Sequence, residues 1–362
     1  MARQTLVGRL VSGEGIRPVR VEFSERVLSL EAASAGVNGP YLLPGFLDLH
    51  VHGGAGAEVM QGERGIRRTA RLHAQNGTAA LLATTVTAPW PELAAVLEAT
   101  KKVMAAPEAG EAMVLGVHLE GPFINPEKLG AQPNYPILPR PELAQAIIQS
   151  GVVKVVTLAP ELPGAPELIA ALSQAGVRVQ IGHTNASYEE SLAGLESGAQ
   201  GFTHLFNAMP PLHHRAPGAA GAALERGNWA EIIPDGLHVH PAMIRLAQAK
   251  IPGLYAVTDA VAASGMPDGH YPLGSHTVLK RGEGVYLDST LAGSVLTMAQ
   301  ALRNLVNFGF TLPEAVAMLA ERPARYLNLS DRGIIRPGAW ADLLVLDREL
   351  RIEASYVRGH RL

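Results

Sequence analysis

Histidines and carboxylates in this chain recur at the ends of short apolar runs. Asp48-Leu49-His50-Val51-His52 closes one run and His118-Leu119-Glu120 another. His183 follows Gly182, His204 and Asn207 sit in a later run, and Thr258-Asp259 closes the last. Residues two apart on an extended strand project to the same side, so His50 and His52 can point into one space. Singly, each has an ordinary explanation. A lone histidine near a strand end is usually a hydrogen-bonded structural side chain, Glu120 can serve an ion pair, and Asp259 can cap a following helix. Together, His50, His52, His183, His204, Glu120 and Asp259 would converge at matching ends of parallel strands, and buried carboxylates in such a cluster need a cation. The chain contains no cysteine, which leaves nitrogen and oxygen donors. Imidazole with carboxylate suits Zn²⁺ or Fe²⁺, whereas Mg²⁺ and Ca²⁺ prefer oxygen.

The elements that must position these groups read as alternating strands and helices. Apolar, β-branched runs at 41–49, 79–87, 114–119, 152–158, 177–181, 201–206, 230–234 and 254–257 have the composition of strands covered on both faces. Amphipathic helical patterns occupy 64–76, 91–106, 141–150, 166–175, 188–197, 241–250 and 297–308, several opening on proline and closing on glycine. Eight such units in order predict a (β/α)₈ barrel of TIM type, with a doubly wound sheet as the alternative. Each polar group then lies at a strand's C-terminal end, where barrel enzymes carry their chemistry. The chain ends differ from the rest. Short strand-like pieces at 1–43 and 333–362 are expected to pair into a small β-sandwich domain beside a barrel of residues 44–332. Residues 270–288 read as a hairpin inserted after the last barrel strand.

Composition narrows the function class. The 362 residues are 47% apolar and 17% charged, enough for a large core, with a formal net charge of -3 and no long like-charge runs. Neither nucleic acid nor an anionic membrane is an expected partner. The absence of cysteine excludes disulfides and thiolate metal sites. No window reaches the length of a membrane span and no apolar signal core follows the first residues, so a cytoplasmic protein is expected.

The phrases around the polar groups resemble the amidohydrolase superfamily and, within it, the N-acetylglucosamine-6-phosphate deacetylases. They are PGFLDLHVHGG (44–54), GVHLEGPF (116–123), GHTNAS (182–187), HLFNAMPPL (204–212), DGLHV (235–239), VTDA (257–260) and LAGSVLTM (291–298), and GIIRPGAWADLLVLD (333–347) resembles the superfamily's small β domain. The resemblance implies that Glu120, His183 and His204 ligate the main metal and that His50 and His52 hold a second, bridged by Glu120, giving two ions per subunit. It implies Asp259 as general acid/base, Asn207, Ala208 and His238 as sugar contacts, Arg215 as a phosphate contact, and Leu291, Ala292 and Gly293 beside the acetyl group. Single-metal relatives carry glutamine at the second histidine of H-x-H, a position that His52 fills here. They also carry a histidine where this chain reads Gly130-Ala131-Gln132, which places Ala131 and Gln132 at the substrate. The implied reaction hydrolyses the acetamide of a phosphorylated amino sugar. Asp259 would take a proton from water and return it to the leaving amine. A homodimer, with Arg215 reaching the neighbour's site, is the implied assembly. Barrels of this layout also process galacto sugars, cyclic amides and aminopurines, so layout alone does not choose the substrate. A non-catalytic scaffold would have lost ligands, and none of those expected is missing here.

Overall fold

The computed structural model describes residues 2–34 and 39–362. Met1 and residues 35–38, inside the expected terminal segment 1–43, lie outside the described residues. Eight parallel strands hydrogen-bond in chain order: Phe46–Val51, Thr78–Thr84, Met113–Glu120, Val153–Leu158, Arg178–Ile181, Gly201–Phe202, Trp229–Ile232 and Gly253–Ala256. The chain just beyond the eighth strand closes the ring onto the first. Asp259 N donates to His50 O at 2.9 Å, His52 N donates to Ala260 O at 2.9 Å, and Val51 pairs in parallel with Ala260. Sequential order with meeting ends makes this a TIM-type barrel and removes the doubly wound alternative, whose strand order reverses.

The packing follows from the sequence pattern. Every residue of Thr78–Thr84 is buried, as a strand with side chains on one face in the barrel and on the other beneath helices must be. The helix Glu63–Gln75 buries Ile66, Thr69, Ala70, His73 and Ala74, a stripe of three- and four-residue spacing. Three readings needed correction. The run 41–49 is two strands, because Tyr41–Pro44 belongs to a second sheet and the chain crosses into the barrel at Gly45. A Cβ at Gly45 would stand 2.5 Å from that of Ala79, so only glycine passes there without displacement. The run 201–206 pairs only over Gly201–Phe202, since His204 and Phe206 turn into the left-handed region. The insertion after the eighth strand is a four-stranded antiparallel sheet, Gly269–Leu273, His276–Arg281, Gly284–Leu287 and Thr290–Ser294, larger than a hairpin. The helix Gly218–Arg226 escaped notice because its buried residues are all glycine and alanine, leaving no apolar period to read.

The two chain ends form one seven-stranded sheet. Its order is His360–Arg361, Ile352–Val357, Leu343–Leu346, Tyr41–Pro44, Gln4–Ser12, Gly15–Phe23 and Val27–Ala32. Phe23 and Tyr356 stand four strand spacings apart in that order, about 19 Å in a flat sheet. Their rings nevertheless meet edge to face with centroids 5.2 Å apart. The sheet therefore folds over itself into a sandwich, closing on Leu10, Val19, Val21, Phe23, Leu343 and Val345. No helix of the described residues is long and apolar enough to cross a membrane.

Where this sandwich meets the barrel, buried Asp342 pairs with Arg332, accepts Arg358 N at 2.8 Å, and receives Gly45 N on its carbonyl at 2.9 Å. Removing one member of a buried ion pair strands the other and costs about 3–5 kcal/mol. Arg332→Met should lower unfolding stability by that order in urea titration, and adding Asp342→Asn should recover part of it. A single variant that unfolds at the parent's midpoint would show that the pair does not anchor the junction.

Candidate active site

The first barrel strand delivers His50 and His52 to the barrel mouth, with His50 fully buried and His52 nearly so. The third strand ends on Glu120, and the loop after it clasps the fifth strand's end. There Asn125 N donates to His183 O at 2.9 Å, and His183 Nδ1–H donates to Lys128 O at 2.9 Å. Behind His183, the helix Tyr188–Glu196 starts on a reciprocal cap: Glu190 N donates to Ser187 Oγ at 3.1 Å and Ser187 N to Glu190 Oε2 at 2.8 Å. His183, His204, Ala208 and Asp259 all have positive φ, of 48°, 27°, 50° and 50°. Such non-glycine conformations cost about 1–3 kcal/mol each and persist only where surrounding structure imposes them, which makes their clustering at one barrel mouth a functional signal.

Glu120 is the hub of the cluster. Its Oε1 lies 3.1 Å from His183 Nε2, 3.1 Å from His204 Nε2 and 3.4 Å from His50 Nε2. Its Oε2 lies 3.2 Å from His52 Nε2 and accepts from the Gln132 side-chain amide. Asp259 Oδ1 stands 3.1 Å from His52 Nε2. The donor set is that of a cation site. His183 carries its proton on Nδ1, because Lys128 O can only accept, so its Nε2 is bare when the ring is neutral. That nitrogen lies 3.1 Å from His204 Nε2, and His50 Nε2 lies 3.1 Å from His52 Nε2. Imidazole nitrogens paired at such separations need a positive charge between them, a shared proton or a metal ion. The groups His50–His52–Asp259 and Glu120–His183–His204 each gather their ligand atoms closely enough for one ion.

The electrostatics carry the same demand. Burial disfavours a charged His52 imidazole, yet hydrogen bonds to Asp259 and Glu120 and their charges outweigh it, leaving its pKa at about 9. Burial also opposes ionisation of Asp259, and the neighbouring His50 and His52 outweigh that, bringing its pKa to about 2. Glu120 is likewise held well below its ordinary value, with burial overcome chiefly by His50 and His183. At neutral pH both carboxylates are anions in a site that attracts positive charge.

Above the cluster opens a cavity of about 380 Å³. His52, Glu120, His183, His204 and Asp259 line it together with Ala131, Gln132, Asn207, Ala208, His238, Leu291 and Gly293. His50 lies beneath its floor. Ala292 is buried in an apolar cluster with Val86, Val261 and Leu273 and does not line the cavity. Gln132 Oε1 accepts Thr87 N at 2.6 Å while its Nε2 donates to Glu120, so the side chain braces the hub as well as facing the cavity. His238 Nδ1–H donates to Asp235 Oδ2 at 2.6 Å, and that bond raises its pKa against the effect of burial. Arg215 lies on an exposed loop against His214, outside the cavity, whose lining holds no lysine or arginine among the described residues. The sequence reading missed the wall that the inserted sheet supplies through Leu273, Ser289 and Thr290. It also missed Glu231 on the seventh strand, behind His50. A lone glutamate within the apolar run WAEI was the available signal.

A ligand that binds only the folded chain stabilises it by about 2.7 kcal/mol at a hundred times its dissociation constant. Titrating Zn²⁺ into chelator-stripped protein should therefore raise the thermal midpoint, and a chelator should reverse the rise. A midpoint indifferent to both would refute a cation site here.

Residues 41–360 match the Amidohydrolase family. An N-acetylgalactosamine-6-phosphate deacetylase of Escherichia coli O157:H7 is 38% identical over 95% of this chain and 90% of its own length. An N-acetylglucosamine-6-phosphate deacetylase of Bacillus subtilis is 37% identical over 88% of this chain and 84% of its own. Among solved structures, a mutant N-acetyl-D-glucosamine-6-phosphate deacetylase of Mycobacterium smegmatis, in complex with N-acetyl-D-glucosamine-6-phosphate, superposes with a TM-score of 0.93 at 33% identity. That match covers 100% of this chain and 99% of the other. Sequence, barrel and donor set agree: the chain belongs to the amidohydrolase family of metal-dependent hydrolases.

Proposed function

We propose that this chain hydrolyses the acetamide of N-acetylglucosamine 6-phosphate to glucosamine 6-phosphate and acetate. The observation that carries the reading is a cavity of about 380 Å³ floored by the Glu120-centred cluster and flanked by an ionised Asp259. Relatives named for this reaction support the substrate. Glu120, His183 and His204 would hold one Zn²⁺ or Fe²⁺ ion, and His50 and His52 a second, with Glu120 between the two. A divalent cation there supplies Lewis acidity, which lowers the pKa of water and draws charge from a carbonyl oxygen.

The chain's own groups do the rest. Asp259 accepts the proton of the attacking water as its oxygen bonds to the acetyl carbon. It then delivers that proton to the nitrogen as the C–N bond breaks, so the amine leaves neutral. Leu291 and Gly293 wall the acetyl methyl from above, and Ala292 fixes their strand through its buried contacts. Asn207, the backbone at Ala208 and the outward ring nitrogen of His238 face the sugar hydroxyls. Ala131 and Gln132 close the opposite side. The phosphate needs a cation that the lining lacks, so Arg215 of a second copy supplies it, in a homodimer. A phosphorylated sugar does not cross membranes freely, which agrees with a cytoplasmic site of action.

Acetate release from N-acetylglucosamine 6-phosphate, its unphosphorylated form and the galacto epimer tests reaction, phosphate requirement and epimer choice together. Activity should be greatest on the first, and no release from any of them would end the proposal. Asp259→Asn should keep fold and metal while losing about a hundredfold or more in turnover, the usual scale of acid/base catalysis. Near-parental turnover in the metal-loaded variant would remove that role. A charge-assisted guanidinium–phosphate contact contributes about 1.5–3 kcal/mol. Arg215→Ala should accordingly lower kcat/KM on the phosphorylated sugar by about ten- to a hundredfold and leave the unphosphorylated sugar unaffected. Equal losses on both would mean that Arg215 supports its loop and does not read phosphate.

A further inference from the structure

We propose that Glu231 is a positioning residue that fixes the His50 ring and thereby sustains the two-histidine half of the centre. The inference rests on the reading above that His50 and His52 hold an ion of their own. Glu231 is fully buried on Trp229–Ile232 and does not reach the cavity. Its Oε2 lies 2.9 Å from His50 Nδ1 and its Oε1 accepts the Tyr255 hydroxyl at 3.2 Å. An ionised carboxylate only accepts, so His50 must carry a proton on Nδ1, and the neutral ring then presents a bare Nε2 to the centre, 3.1 Å from His52 Nε2. The carboxylate selects the ligating tautomer, sets the ring's orientation and makes the imidazole a stronger donor.

Among the four histidines of the centre, His50 alone has a carboxylate at its Nδ1, and the same Oε2 of Glu231 also accepts the backbone N–H of His204 at 3.3 Å. The Nδ1 of His183 meets a neutral carbonyl, and the Nδ1 atoms of His52 and His204 are buried without a hydrogen-bond partner. Glu231 is in turn held by a chain of side chains that crosses the barrel interior. Gln180 Nε2 donates to the Tyr255 hydroxyl at 2.6 Å, Thr203 Oγ1 donates to Gln180 Oε1 at 2.8 Å, and Thr203 and Thr157 hydroxyls lie 2.7 Å apart. Thr157 Oγ1 then meets His118 Nε2 at 2.7 Å, and the His118 ring packs edge to face on His50 with centroids 4.5 Å apart. His50, His118 and Glu231 are close enough to hold an ion themselves. They are not placed to do so, because both His118 nitrogens are committed, Nδ1 to Leu49 O at 3.1 Å and Nε2 to Thr157. The layer is a mount for His50.

The test is calorimetric titration of Zn²⁺ into chelator-stripped full-length protein, with metal content measured after loading. Three proteins are compared: the parent, Glu231→Gln and Glu231→Leu. Replacing a residue behind a metal-bound histidine typically weakens the metal by about ten- to a hundredfold. The parent should bind two ions. Glu231→Gln, which removes the charge and keeps the shape, should bind the first as the parent does and the second at least about tenfold more weakly. Glu231→Leu should lose the second. If the leucine variant fails to fold, the glutamine variant decides. Two ions at parental affinity in Glu231→Gln would overturn the inference. A parent that binds a single ion would instead overturn the two-ion reading. The ¹⁵N spectrum of the histidine rings then decides for Glu231: loss of the His50 Nδ1–H signal in the glutamine variant supports the positioning role, and its retention overturns it.

Discussion

A carboxylate withdrawn from water is tolerable only where positive charge meets it, and Glu120 is such a carboxylate. It is almost completely buried, and the imidazole nitrogens around it come from the first, fifth and sixth strands. No local segment could assemble that arrangement. The requirement that four strand ends meet at one anion is what the closed barrel satisfies. The closing backbone bonds from Asp259 to His50 and from His52 to Ala260 run through the site residues themselves. Closing the ring and building the centre are the same structural event.

Two layers separate stability from reactivity. The outer layer is aliphatic: valines, leucines and isoleucines between the strands and the helices. The inner layer near the mouth is polar and fully specified, with threonines, Gln180, Tyr255, His118 and Glu231 bonding one another. Such a layer would be unfavourable if any member lost its partner, because an unpaired buried polar group costs about 1–3 kcal/mol. Its benefit is directional. Each bond restricts a ring or an amide to one orientation, and the strained left-handed turns at His183, His204 and Asp259 are held against that rigid floor.

Much of this was legible in the sequence, for reasons that differ from residue to residue. Strand order followed from apolar runs spaced by amphipathic helices, and the terminal sheet from short alternating pieces at both ends. His50 and His52 announced themselves by two-residue spacing, and Glu120, His183, His204 and Asp259 by ending their runs. The fold brings those residues close together, and the cavity above them is lined by Ala131, Gln132, Asn207, Ala208, His238, Leu291 and Gly293 but not by Arg215 or Ala292. Glu231 stayed hidden because its partner, His50, is 181 residues away and only the barrel's curvature brings them together. The glycine- and alanine-rich helix Gly218–Arg226 stayed hidden because small side chains carry no periodic signal. Ala292 was placed beside the acetyl group, but strand alternation turns it into the apolar cluster behind the wall. The break at Gly45 did carry a signal, the Pro44-Gly45 pair, which the apolar residues on either side of it outweighed.

The curled sheet at the chain ends has a consequence for synthesis. Its middle strand, Tyr41–Pro44, pairs on one side with Gln4–Ser12 and on the other with Leu343–Leu346, and Gln4 Nε2 donates to Gly359 O across 355 residues. On a ribosome adding about 5–20 residues per second, the early strands emerge many seconds before their later neighbours exist. Throughout that interval the Tyr41–Pro44 strand has an unsatisfied backbone edge and Phe23 lacks the ring of Tyr356. The nascent chain therefore exposes an open strand edge until Leu343–Leu346 has emerged, and a chaperone that recognises such edges has a long opportunity at these early strands.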